Sequence, residues 1–152
     1  MRIAFLAMCV FVLASVASAI APAETKYVAD DAKALALKAA ELIQSKGLDA
    51  ARVAFHQDGE FKHDELYVNV INTAGIWLVY PPMPSGEGRS VLDIQDANGK
   101  FIVREIIKVA EQGEGWVDYR WLNPVTKQVR TKMSYAKRVS GTDMIVYVGI
   151  YQ

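Results

Sequence analysis

Residues 113–135 read GEGWVDYRWLNPVTKQVRTKMSY, and the pattern of this stretch decides the fold. Trp116 to Leu122 carries Trp116, Tyr119 and Trp121, ring residues that suit a half-buried pleated surface. Asn123-Pro124-Val125-Thr126-Lys127 reads as a turn, because asparagine and proline both pre-set turn geometry. Val129 to Val139 returns as a second strand carrying Lys132 and Tyr135. Alternate strand residues share a face. Val117, Tyr119 and Trp121 therefore point one way, and Trp116, Asp118 and Arg120 the other. One face can line a core or a pocket with aromatic rings. Strict alternation separates Lys132 from Tyr135, so both reach one pocket only across a bulge or at a strand end.

Working outward, Ser140-Gly141-Thr142-Asp143 turns the chain into a last strand, Met144 to Tyr151. Gly149 inside it predicts a bulge or the close approach of a neighbouring group. Upstream, Phe101, Ile102, Ile106, Val109 and Ala110 recur at helical spacing and predict a helix over 100–112, capped from Asp96-Ala97-Asn98-Gly99 and stopped by Gly113. Met83 to Asn98 is a long connection, in which Val91 to Ile94 forms a short helical turn that plugs the core with Leu92 and Ile94. Its SGEGRS run lacks the lysine and spacing of a phosphate loop. Leu66 to Asn72 and Ile76 to Tyr80 make a first hairpin, closed by Pro81-Pro82. Before it, Glu24 to Gly47 reads as a helix capped by Asp30 or Asp31, with Leu35, Ala39, Leu42 and Ile43 as its apolar stripe. A shorter helix, capped by Asp49, runs to about Phe55. The order is helix, hairpin, crossover helix, three-stranded meander. It predicts an α+β domain, a five-stranded antiparallel sheet with its helices on one side.

The N-terminus has a separate character. Arg2, the apolar run Ile3 to Val16, and Ala17-Ser18-Ala19 form the pattern of a secretory signal peptide cut after Ala19. The apolar run is shorter than the roughly 20 residues a membrane-spanning helix needs. The expected organisation is a signal peptide over 1–19, a lead-in over 20–30 and one domain over 31–152, in the periplasm or secreted, with no membrane span after cleavage. Cys9, the one cysteine, leaves with the signal, which excludes disulfides and thiolate chemistry from the mature chain. The 17 basic and 17 acidic side chains balance, so nothing pulls the protein towards nucleic acid over long range.

With those residues in view, the chain resembles the single Cache domain family. The resemblance rests on WLVYPP closing the first hairpin, DIQDANGKFIV opening the crossover helix, Tyr119-x-Trp121-x-Asn123-Pro124, then Lys132 and Tyr135, and the terminal Gly149-Ile150-Tyr151. It covers roughly residues 31–151. It implies a PAS-like sheet behind a long N-terminal helix, and an extracytoplasmic sensor whose concave sheet face encloses a small carboxylate or similar metabolite. Carried onto this chain, it places Tyr119, Trp121, Lys132 and Tyr135 at the ligand, with Tyr67, Trp77 and Tyr80 from the first hairpin beside them. Family members commonly carry a histidine before the proline that ends the second strand, where this chain has Tyr80. With no output module after Gln152, the chain looks like the exported, free-standing members.

Physically, a buried anion needs a cation and a few donors. Lys132 offers the charge, and Tyr119, Tyr135 and the Trp121 indole offer the donors. Other function classes have weaker support. Ser134 and Ser140 have no evident histidine partner, and Asp93 and Asp96 read as turn formers, so no catalytic arrangement is predicted. His56 and His63 read as loop histidines rather than metal ligands, and no cofactor is implied. Lys127, Arg130, Lys132, Lys137 and Arg138 interleave with Tyr135, which a charged outer strand face explains better than nucleic-acid binding. The alternative to a ligand sensor is an interaction module that docks on a membrane receptor or pairs with itself through an apolar stripe on the first helix.

Overall fold

The computed structural model describes residues 26–152; the expected signal peptide lies outside them. Helix α1 (Ala29–Lys46) is followed after Gly47 by α2 (Leu48–His56), then by strands β1 (Lys62–His63), β2 (Leu66–Asn72) and β3 (Trp77–Val79). A long connection leads to α3 (Ile102–Glu111), and β4 (Glu114–Leu122), β5 (Val129–Arg138) and β6 (Met144–Tyr151) complete the chain. The sheet is antiparallel with the order β1-β2-β6-β5-β4, and β3 also pairs with β2. The two-residue β1 makes it six-stranded rather than five-stranded. No described helix is long and apolar enough to cross a membrane.

The helices do not share one side of the sheet, as the order of elements led one to expect. On one face α1 and α2 cover Val68, Val70, Tyr135, Val146, Val148 and Ile150. On the other, α3 and the connection cover Tyr67, Ile71, Val117, Tyr119, Ala136, Ile145 and Tyr147. The cause is in the strands. In β6 every residue after Met144 is buried, and a strand apolar on both faces must be covered on both.

Alanine sets the spacing on the first face. Ala32, Ala36, Ala39 and Ala40 are buried along α1, and their short side chains let the helix lie close to β5 and β6. The helix begins after Val28, whose N–H donates to the Asp31 carboxylate at 2.8 Å. Asp30 and Asp31 are thus inside the first turn, where a carboxylate still favours the positive helix end, rather than at the cap. Gly47 ends α1 with φ +80°, and its N–H donates to the Ile43 carbonyl at 2.8 Å. That conformation is open to glycine at low cost. Gly47 also occupies the cap of α2, so Asp49 stands in the first turn of that helix. The second stripe is rotated slightly from expectation: Val103, not Val109, is buried with Ile102, Ile106 and Ala110.

The connection does two things. Val91 is its fully buried plug, with Leu92 and Ile94 half-buried beside it. It also covers the exposed edge of β4. The Asp96 carboxylate accepts the Arg120 N–H at 3.0 Å, and the Lys100 ammonium donates to the Asp118 carbonyl. Free strand edges invite pairing with other chains, and these bonds occupy part of this one.

A half-buried ion cluster ties α2 to the strand that enters the connection. Glu87 Oε2 accepts from Arg52 at 2.7 Å, and its Oε1 accepts from the Tyr80 N–H at 2.7 Å and lies 2.8 Å from His56 Nε2. Arg52 also donates to the Leu78 carbonyl at 2.6 Å. His56, expected in a polar loop, is therefore the last residue of α2 and a partner of this cluster. Removing one member of such a cluster strands the others. Glu87→Ala is expected to cost about 1–2 kcal/mol, read as a lower urea midpoint with an unchanged slope.

Candidate ligand-binding site

The cavity lies on the α3 face of the sheet. Its wall is built from Tyr67 and Asn69 on β2, Trp77 and Tyr80 at β3, Tyr119 and Trp121 on β4, Lys132 on β5 and Tyr147 on β6. Ile94, Ile102 and Val103 close it from the connection and α3. The cavity is small: the centre of a water-sized sphere can occupy about 20 Å³ of it. That is room for one or two waters as the side chains stand, so any guest is compact.

Strand register explains the assembly. Tyr119 is the cross-strand partner of Lys132, and Ser134 that of Gly149. Tyr67, Asn69, Tyr119, Trp121, Lys132 and Tyr147 therefore all project from one face. Gly149 lies under the cavity floor, where a Cβ would come within 2.2 Å of Ser134 Oγ and 2.6 Å of Lys132 Cε. Of the two expectations for this glycine, the close approach is the one observed.

Ring hydroxyls and indoles are paired around the wall. Trp77 Nε1 donates to the Tyr147 hydroxyl at 2.9 Å, and Trp121 Nε1 donates to the Tyr80 hydroxyl at 3.3 Å. Tyr119 Oη and Ser134 Oγ share a bond of 2.8 Å. Trp77 and Tyr80 stack with ring centres 4.0 Å apart. Burial pushes the Tyr67, Tyr119 and Tyr147 hydroxyls up, so all three keep their protons and remain donors at neutral pH.

Lys132 is the unusual member. It is 2% exposed, and its ammonium makes one hydrogen bond, to the Tyr67 hydroxyl at 2.8 Å. The Tyr67 and Tyr151 ring centres lie 4.2 and 4.6 Å from Nζ, a partial compensation through the ring faces. Glu65 acts on it only at a distance and is engaged by Asn123 Nδ2 at 2.6 Å. Burial prevails over Glu65 and pulls the Lys132 amine down to about 7. An ammonium carries three donors, so this one has capacity left for a ligand. Asn69 adds an acceptor, since its Oδ1 is buried without a partner.

Tyr119, Trp121, Lys132, Tyr67, Trp77 and Tyr80 are thus brought together, and Tyr135 is not. Tyr135 projects from the opposite face, where it packs edge-on against Trp116 at 4.9 Å and under Lys33 of α1. No bulge interrupts β5 between residues 132 and 135, so alternation holds and the placement of Tyr135 at the ligand is corrected. Sequence reasoning missed Asn69 and Tyr147. The same alternation marks them, two residues from Tyr67 and Gly149, but only the register of β2 on β6 brings them beside Lys132.

Comparisons with known proteins agree with this architecture. The family described as Single Cache domain 2 matches residues 14–152. The sensor histidine kinase MctS of Rhizobium johnstonii is 29% identical over 85 residues, 56% of this chain. This chain spans 18% of that kinase's length. Among solved structures, a methyl-accepting chemotaxis protein from Vibrio parahaemolyticus superposes with a TM-score of 0.71 at 22% identity, over 80% of this chain and 86% of the other. A Cache chemosensory domain solved for its carboxylic acid recognition gives 0.63 at 20% identity, over 80% and 86%. At these identities the likeness is one of fold.

Proposed function

The chain belongs to the Single Cache domain 2 family, and on that premise we propose that it is an extracytoplasmic receptor domain for a small carboxylate held by Lys132. One observation carries the reading: a buried ammonium faces a compact aromatic cavity with one hydrogen bond and no carboxylate bonded to it. Burying a charge without a counter-ion is costly, and a carboxylate in the cavity supplies that counter-ion. The protonated tyrosines supply further donors to its oxygens. The solved Cache domain that recognises carboxylic acids is consistent with this chemistry. The domain binds without converting its ligand, and the N-terminal apolar segment exports it. The rival reading, pairing through α1, lacks its distinguishing feature: the outer face presents Asp30, Lys33, Leu37, Lys38 and Glu41, one leucine rather than a stripe.

The reading makes a pH prediction. At and below about pH 7 the empty cavity already holds a cation. Above that value the amine is neutral, and a carboxylate binds only as it brings a proton to Lys132. Affinity should fall roughly tenfold per pH unit above 7 until the lysine of the complex itself deprotonates. A thermal-shift screen of small carboxylates, amines and amino acids identifies a ligand, and calorimetry at about pH 6.5 and 8.5 then measures the effect. Proton uptake should appear at the higher pH as an enthalpy that depends on the buffer. Equal affinity at both pH values, with no buffer dependence, removes Lys132 as the charge that holds the ligand.

A further inference from the structure

We propose that the β4–β5 hairpin tip is a docking surface for an anionic membrane, entering the headgroup region with three aliphatic side chains and anchoring through the cations around them. Leu122 and Val129 are cross-strand partners at the last pair of the hairpin, and Val125 stands in the turn between them. They are 51%, 48% and 58% exposed, in a protein that buries most of its large apolar side chains. Asn123 fixes the turn. Its Oδ1 accepts from the Val125 N–H at 2.8 Å and the Thr126 N–H at 3.1 Å, and its Nδ2 donates to Glu65. The aliphatic residues are thus presented on a stiff turn.

Cations outnumber carboxylates around them. From Tyr119 to Thr142 the sequence contains no aspartate or glutamate. Arg120, Lys127 and Arg130 surround the aliphatic tip. Arg120 and Arg130 each bond a main-chain oxygen, of Val129 and Gln152 respectively, and among the described residues neither is paired with a side-chain carboxylate. The nearest carboxylates have partners of their own, Asp96 in the N–H groups of Asn98, Lys100 and Arg120, Asp118 in the Lys100 ammonium and Glu65 in the Asn123 amide.

Aliphatic residues flanked by Arg120, Lys127 and Arg130 fit the boundary of an anionic bilayer, where the former enter the headgroup layer and the latter meet lipid charge. A second copy fits less well. A two-fold dimer would set the same patch against itself, opposing Arg120, Lys127 and Arg130 to their own counterparts. Three side chains also fall well short of the roughly 800 Å² per partner that a stable interface buries.

The test places a reporter at the tip, so that contact elsewhere on the chain does not register. In the full chain carrying Cys9→Ala, Val125→Cys is labelled with an environment-sensitive fluorophore and titrated with vesicles. Expected is a blue shift on phosphatidylcholine mixed with phosphatidylglycerol, and none on phosphatidylcholine alone. High salt should reverse it, and Lys127→Glu/Arg130→Glu should weaken the apparent affinity roughly tenfold or more. No shift on anionic vesicles overturns the proposal. So does an equal shift on both vesicle types, or a shift that appears without lipid as protein concentration rises, which would assign the tip to a second copy. Ligand-induced thermal shifts are measured in the same variants, so failure at the tip is separable from failure of the cavity.

Discussion

Lys132→Met is expected to raise the melting temperature of the ligand-free protein while abolishing its response to carboxylates. The sign follows from burial. The folded chain holds this amine at about 7, against an ordinary 10.5, so the unfolded chain binds the proton more tightly. Stability is therefore lowest at and below about pH 7 and rises as the pH climbs towards 10.5. Methionine has similar length, no charge and enough flexibility to fill the same channel. Replacing a poorly compensated buried charge by an apolar side chain is commonly stabilising. Against the loss of the Tyr67 hydrogen bond, a net gain on the order of 2 kcal/mol at neutral pH is expected, or several degrees in melting temperature. The pH slope of stability between 7 and 10 should flatten in the variant. A less stable variant that still binds its ligand would show that Lys132 serves the fold and not the site. A residue whose removal strengthens the fold and ends binding is retained for function at a cost in stability.

Gly149→Ala should do the reverse, weakening the fold and distorting the site together. The added Cβ would come within 2.2 Å of Ser134 Oγ, 2.6 Å of Lys132 Cε and 3.1 Å of Lys132 Cγ. Both neighbours are buried, and Ser134 is held by Tyr119. Neither moves without displacing part of the cavity wall. Overpacking of this kind costs about 1–3 kcal/mol, measured as a lower denaturation midpoint. The double variant Gly149→Ala/Ser134→Ala removes the closest atom. It should recover a good part of the loss, with a coupling energy of about 1 kcal/mol between the two positions. Strict additivity would mean that the contact at Gly149 is not the source of the cost.

Much of the cavity could be read before any coordinates. The alternation of Val117, Tyr119 and Trp121 named one face of β4, and the isolated Gly149 marked a close approach in β6. The family resemblance groups Tyr135 with Lys132, although a separation of three residues puts the two on opposite faces. Structure upheld the alternation. Connectivity alone places the helices on one side of the sheet. The continuous apolar run MIVYVGIY already demanded cover on both faces. Glu87 was invisible in a flexible-looking connection, since its partners Arg52 and His56 lie more than thirty residues upstream.

By itself the sequence determined the elements, their order, the pairing of β4 with β5 and the residue types available to hold a small anion. Those depend on short-range rules: period, turn chemistry and the conformational freedom of glycine. Only the tertiary structure decided that β6 lies between β2 and β5, and therefore that Asn69, Tyr147 and Tyr67 stand beside Lys132. Strand register couples residues some eighty positions apart, and no local pattern encodes it. The state of Lys132 belongs to the same class, because the cavity that buries its amine is walled by four other strands, a connection and a helix.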